Sequence, residues 1–321
     1  MKKYPLKLTY IPKTALWGGT RLKKELGKSA DFDVVSETWE LTVRKHEMSK
    51  IIGGEADGMT LAEYFDLCGY DCVSPNFTKE QRFPLLVKFI DAMDSLSVQV
   101  HPDDDYAGRI ENDSGKTEMW YIVDAAEGAE LIYGLKSGVT SEDFAKAATE
   151  GRYRDVMAHV PVHAGESYFI PAGMLHAIGA GILIAEIQQN SDLTYRVYDF
   201  DRVGTDGKPR ELHVEKAIAV TRPYSEEEID AIRFAGGKQS YKGELMANST
   251  YFKAVKHVIS DEVTVNATKE SFISLLCTQG QGSIIFDGQE YTIKLGDSYF
   301  IPAGLGEFTV KGQLTVIAST I

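Results

Sequence analysis

Short alternating runs of apolar and polar residues dominate the chain. Segments rich in Val, Ile and aromatic residues recur at 97–102 (SVQVHP), 118–125 (EMWYIVDA), 129–135, 166–172, 182–189 (ILIAEIQQ), 282–288, 290–297 and 314–320. Each has strand length and is bounded by turn residues. Asp287-Gly288 marks a hairpin between two of them. Helical spacing is confined to 60–67, 83–93 (FPLLVKFIDAM), 140–151 and 212–220. Thr140 and Ser141 open the third of these and Gly151 closes it. Many short strands and few helices predict a mainly β fold, with barrels or sandwiches carrying short helical insertions.

One stretch occurs twice. GESYFIPAG at 165–173 returns as GDSYFIPAG at 296–304, identical at eight of nine positions. The repeat predicts two related β-barrel units. A break is expected in the polar, Gly-containing segment 221–239, giving a unit over 1–230 and a smaller one over 231–321. The copies then diverge: the first continues to His176, the second to Glu307. Pro171 presets its φ and Gly173 permits a left-handed conformation, so the turn is fixed and His176 falls at a defined point on the returning strand. Gln99 and His101, one residue apart on a strand, face the same side. Glu118 opens the next strand-like run. His101, Glu118 and His176, with Gln99 as a fourth ligand or an orienting amide, form a nitrogen and oxygen set that suits Zn²⁺ and leaves room for water or substrate. No paired ligand strand precedes Glu307, so the second unit is expected to lack the metal.

Composition narrows the field. A net charge of -13 argues against general nucleic-acid binding, which needs a basic surface, but leaves room for a small phosphorylated ligand held by a few local cations. No apolar run reaches the ~18 residues of a membrane span, and no signal core follows Lys2 and Lys3. Cys68, Cys72 and Cys277 are an odd, sparse set that fits buried thiols in a reducing cytoplasm. HPDDDY at 101–106 reads as a solvated turn after a strand, and Trp17 and Trp39 as core aromatics. GKPRELH at 207–213 reads as a loop leading into a helix. His46, His159, His163, His213 and His257 have no ligand-like neighbours in sequence.

Four segments carry a resemblance: WGGTRL at 17–22, SLSVQVHPDD at 95–104, GKTEMWY at 115–121 and EIQQNSDLTYRVYDFDR at 186–202. Together they resemble the type I mannose-6-phosphate isomerases of the cupin superfamily, in their short bacterial form. The resemblance implies two cupin-like, jelly-roll barrels and a zinc ion held by Gln99, His101, Glu118 and His176. It implies a catalytic role for Arg196, and a sugar-phosphate pocket lined by Ser97, Lys88 and Lys116. Arg202 stands where other members carry a basic residue. A tyrosine of some longer members is Ile178 here, so its role does not carry over. The implied reaction interconverts mannose 6-phosphate and fructose 6-phosphate through an enediol, with Glu186 and Lys116 as alternative proton carriers. Without the resemblance, the same ligands would also suit an iron-dependent dioxygenase or a non-catalytic sugar-binding protein.

Overall fold

In the computed structural model, which describes residues 1–204, 207–238 and 243–321, the chain is mainly β. Six strands are hydrogen-bonded in the order Ser167–Ile170, Glu118–Ala125, Ile182–Gln189, Leu85–Ala92, Glu37–Leu41 and Ile11–Lys13. Five more run Met157–Pro161, Glu130–Leu135, His176–Ile178, Val98–Val100 and Tyr195–Tyr198. The two sheets face each other across a shared core, to which one contributes Ile90, Trp120 and Ile184 and the other Leu131 and Ile178.

The outer face of the six-stranded sheet is apolar as well. Val87, Phe89, Met119, Ala185 and Ile187 pack against Phe272, Leu276, Phe300 and Ile317 of a third sheet. This double burial corrects one expectation. Residues 83–93 do not form a helix; they contain strand Leu85–Ala92, buried along its whole length. A strand covered on both faces needs apolar residues at both parities, and the resulting continuous run mimics helical spacing.

The third sheet has nine strands and joins both ends of the chain. Its order is Glu244–Asn248, Lys253–Ile259, Gly306–Thr320, Ile273–Phe286, Ser298–Ile301, Leu6–Leu8 and Ile51–Ile52. Glu262–Ala267 pairs with Gly306–Thr320, and Gln289–Lys294 with Ile273–Phe286. Phe83, Phe272 and Phe300 weld the third sheet to the first, with ring centroids 5.2 Å and 5.1 Å apart along that series. Buried Lys28 adds a polar rivet, its Nζ 2.7 Å from Glu40 and 2.6 Å from the carbonyl oxygen of Gly296.

The two closed barrels expected from the sequence are not seen. Among the described residues no ladder returns to its first strand. In the first unit the edges Ile11–Lys13 and Tyr195–Tyr198 stay apart, and side chains from both line a polar cavity. Charged groups in contact with solvent at that edge take the place of a closing ladder.

Local signals account for the smaller elements. Helix Leu61–Cys68 is capped reciprocally by Thr60 and Glu63, and helix Ser141–Thr149 by Thr140 and Asp143. The acidic run after His101 is not a bare turn: Asp103 caps helix Asp104–Ile110 by accepting from the Tyr106 amide. The polar segment 221–239 contains an unexpected helix, Glu226–Arg233, capped by Ser225 and Glu228. Cys72 and Cys277 are buried and Cys68 half-buried, all with free thiols. The duplicated turn repeats in conformation as well as in letters. Gly165 and Gly296 have φ of 94° and 90°, and Gly173 and Gly304 have φ of 88° and 72°. After the turn the copies differ in what they bury: His176 points inward in the first, whereas Glu307 is exposed and Phe308 takes the core position in the second.

Candidate metal centre and substrate cavity

Two rows of side chains cross the sandwich. In the five-stranded sheet, His176 is paired with Gln99 and Gln99 with Arg196. In the six-stranded sheet, Trp120 is paired with Glu186, Glu186 with Lys88 and Lys88 with Trp39. Directly opposed residues on neighbouring strands share a face. The rows meet at one end, where the rings of Trp120 and His176 stand edge to face at 5.4 Å. With strands ~4.8 Å apart, Arg196 lies two strands, or about 10 Å, from His176 along its row.

His101 directly follows strand Val98–Val100 and Glu118 opens strand Glu118–Ala125, two residues from Gln99 and Trp120 respectively. This brings three potential ligands together: candidate donor atoms of His101, Glu118 and His176 all lie within 4.8 Å of one another, and all three residues are buried. The two imidazole Nε2 atoms are 3.1 Å apart, and Nε2 of His101 is 3.3 Å from Oε1 of Glu118. The turn holds the group in place. The Gly173 amide donates to the carbonyl of His101, and a Cβ on Gly173 would sit 2.9 Å from the carbonyl oxygen of Val220. On the other side the Thr117 amide donates to the side-chain oxygen of Gln189, fixing the start of the Glu118 strand.

The electrostatics suit a cation. Burial lowers the pKa of both imidazoles, that of His101 to about 3 with Lys116 adding to the effect, so both rings are neutral. Burial opposes charge on Glu118, but the ammonium of Lys116 outweighs it and holds the carboxyl well below its usual range. Neutral imidazoles and an ionised carboxylate are the states a metal requires. Nδ1 of His176 donates to the Met174 carbonyl at 2.8 Å, which leaves the Nε2 lone pair facing the cluster. Neither Glu118 oxygen accepts an aligned hydrogen bond, although Lys116 Nζ lies 2.8 Å from one of them. Buried polar atoms left this way are costly without a partner. The residues fit a divalent metal of the zinc kind.

Next to the cluster, lined by its neighbours Gln99 and Lys116, lies a cavity of about 340 Å³. Lys13, Lys88, Lys116, Arg196 and Arg210 line it against four acidic side chains, so it is locally cationic in a protein of net charge -13. Gln99, Ser97 and Glu186 reach it as well. Glu186 is buried and tethered: Trp120 Nε1 donates to it at 2.8 Å and Lys88 Nζ lies 3.1 Å away. Burial, with Glu118 nearby, raises its pKa. Burial works against charge on Lys88, but Glu186 and Glu37 prevail and its pKa is raised. Arg196 donates from Nε to Ser97 and from Nη1 to the Glu211 carbonyl.

Of the ten site residues named from sequence, Ser97, Gln99, Lys88, Lys116, Glu186 and Arg196 line the cavity, and His101, Glu118 and His176 form the cluster beside it. Arg202 does not line the cavity; its guanidinium binds Asp199 and the Ser95 carbonyl. Sequence reasoning passed over Arg210, which lay in a segment taken for a plain loop. It also read Trp17 and Trp39 as core only. Both are buried, yet both form cavity wall, and Lys13 sits over Trp39 at 4.3 Å. The signal for Trp39 was a tryptophan beside two glutamates, Glu37 and Glu40, on one short strand.

An open β-sandwich of this topology, with two histidines and a glutamate converging under a polar cavity, defines a cupin-type protein with a candidate metal centre. The chain matches the families described as phosphomannose isomerase type I, catalytic domain, over residues 6–135, and mannose-6-phosphate isomerase, cupin domain, over residues 242–321. It is 36% identical to mannose-6-phosphate isomerase ManA of Bacillus subtilis over 324 residues, covering 99% of each chain. A crystal structure of mannose 6-phosphate isomerase from Bacillus subtilis superposes with TM-score 0.87 at 34% identity, covering 99% of both chains. A mannose 6-phosphate isomerase solved with zinc and yttrium bound shares the fold at TM-score 0.78 and 16% identity, covering 98% of both chains. The chain belongs to the type I phosphomannose isomerase family and is an aldose–ketose isomerase.

Proposed function

We propose that the chain interconverts mannose 6-phosphate and fructose 6-phosphate by proton transfer between C1 and C2, with zinc held by His101, Glu118, His176 and Gln99. The observation that carries this reading is the buried His101/Glu118/His176 cluster beside a cationic, sugar-sized cavity, joined to it by Lys116, which lines the cavity and lies 2.8 Å from Glu118. Bound zinc would supply Lewis acidity toward the sugar oxygens, which is the polarisation an enediol route needs.

The chain's own side chains account for the rest. Arg196 presents its guanidinium to the cavity two strands from His176, where it stabilises negative charge developing on the substrate oxygens. Ser97 orients that guanidinium through its hydroxyl. Lys116 and Glu186 both present a titratable group to the cavity, and both are assigned to the proton path. Lys88 fixes Glu186 and adds positive charge opposite Arg196. Trp17 and Trp39 close the wall against water. The reading is that of a cytoplasmic enzyme acting on a small sugar phosphate. Free thiols agree with it, and among the described residues no helix is long and apolar enough to cross a membrane.

A coupled assay of mannose 6-phosphate conversion, before and after chelation and again after zinc is restored, tests the reading. Turnover that disappears with chelator and returns with zinc supports it. Full activity in metal-free protein overturns the metal role, and lack of turnover by the zinc-loaded protein overturns the substrate.

A further inference from the structure

The duplicated turn anchors a register that runs on into the sheets around it. Ile170 is paired with Glu118, and its counterpart Ile301 with Ile273. Along the same ladders Glu186 lies between Trp120 and Lys88, and Ala318 lies between Leu275 and Val255. His176 is paired with Gln99, and Phe308, which takes the inward position after the second turn, is paired with Val265. The places that hold the metal cluster and the cavity wall in the first unit therefore occur again in the third sheet.

A second cavity opens at those places. Its volume is about 330 Å³, against about 340 Å³ for the first, and Val255, Val265, Ile273 and Ala318 line it. Their counterparts are Lys88, Gln99, Glu118 and Glu186, so every charged or amide group has become an aliphatic one. Ser271, two residues before Ile273, lines the cavity where Lys116 stands two residues before Glu118. The charged side chains among the described lining residues, Lys253 and Glu270, are opposite in sign, so no net charge favours an ion. One position changes the other way. Ile184 is paired with Ile90, which lines the first cavity, and Val316 is paired with His257, which lines the second. Burial lowers the pKa of His257, so its ring is neutral at pH 7, with one nitrogen to donate and one to accept. No hydrogen bond reaches that ring among the described residues.

We propose that this second cavity binds a small, uncharged, largely apolar molecule that carries one hydroxyl or carbonyl group, with the aliphatic wall burying its body and His257 bonding its polar group. An apolar space of this volume with a few placed polar groups is the usual form of a small-molecule site. Protein interiors pack closely, and aliphatic walls around open space forgo dispersion contacts that a ligand restores. Water is a poor filling, because Val255, Val265, Ile273 and Ala318 offer it no hydrogen bonds. A metal ion or a sugar phosphate is excluded by the same four side chains, which replace the ligand Glu118 and the cation Lys88. The site is separate from the His101/Glu118/His176 cluster, and its occupancy does not depend on the substrate assigned there.

The test uses the full zinc-loaded chain and two probes, benzyl alcohol and toluene, which differ by the hydroxyl. Binding is read by saturation-transfer NMR and by the rise in Tm. Benzyl alcohol should bind saturably with a Kd of about 1 mM or below, which is within reach of a ligand of about eight non-hydrogen atoms. Ala318→Leu and Val265→Phe each push a larger side chain into the cavity from a different strand, and each should abolish binding of both probes. Should one variant fail to fold, the other decides. His257→Leu should weaken benzyl alcohol by about twofold to tenfold, the loss of one hydrogen bond, and should not weaken toluene. Saturating mannose 6-phosphate should leave benzyl alcohol bound. Absence of saturable binding to the wild-type chain overturns the proposal, as does undiminished binding in a folded filling variant. Displacement by mannose 6-phosphate places the probe in the first cavity and also overturns it. Equal weakening of both probes in His257→Leu removes the role given to the imidazole.

Discussion

The Met174 carbonyl holds the ring of His176 by accepting its Nδ1–H at 2.8 Å, so the orientation of the candidate ligand is set within the turn that carries it. The equivalent turn in the second copy ends on exposed Glu307. His176→Ala should therefore leave the fold intact and abolish stoichiometric zinc. Glu307→Ala should leave zinc content unchanged. Elemental analysis of both purified variants checks this, and full zinc in His176→Ala would count against the site.

Arg196 lies two strands from His176, and the proposed reaction has it act on charge that develops in the transition state. Arg196→Ala should lower kcat by on the order of 10²–10³, the range seen when one preorganised donor is lost. Steady-state kinetics decide the matter. A large rise in KM with kcat near wild type would make Arg196 an anchor only.

Asp199 gives the protein an acid-sensitive element. Burial raises the pKa of its carboxyl, but hydrogen bonds from Arg210 and Arg202 outweigh burial and bring it below the usual value of 3.8. A folded-state pKa below the unfolded one means that the unfolded chain binds the proton more readily. The stability from Asp199 is then complete above about pH 5 and is lost as pH falls through the folded-state pKa. The Tm difference between wild type and Asp199→Asn should be largest near neutrality and shrink below about pH 4. Thermal melts across that range measure it, and a difference that grows on acidification contradicts the assignment.

Phe300 stacks on Phe272 at 5.1 Å and is fully buried between the first and third sheets. Phe300→Ala should cost about 3–5 kcal/mol through lost burial and the cavity left behind. Urea unfolding should show this as a lower midpoint. Activity at low temperature should persist, because the ring does not line the substrate cavity.

The sequence was most legible where a position obeys a local rule. Pro171 and Gly173 dictate a turn, the turn dictates where His176 falls, and one intervening residue puts Gln99 and His101 on the same face. Glu186 stood as a charge in the strand-like run 182–189, whereas Lys88, within the run read as helical, was named only through the family resemblance. What could not be read locally depends on layers. Strand Leu85–Ala92 looked helical because a third sheet covers its outer face, and nothing within the segment announces that sheet. Arg202 and Arg210 are equally basic in sequence. Only the fold shows that Asp199 holds both and that the cavity opens in front of Arg210 and not of Arg202.

Strand Leu6–Leu8 sits between Ser298–Ile301 and Ile51–Ile52, with Leu6 opposite Phe300. It finds its main partner, Ser298–Ile301, far later in the chain. At ~5–20 residues per second, its wait is on the order of tens of seconds. During that time Leu6 and Leu8, both buried in the finished protein, remain exposed to water and to other chains. The third sheet is therefore completed only once Ser298–Ile301 has been made, and a nascent chain stalled before residue 298 carries an open apolar edge that chaperones can recognise.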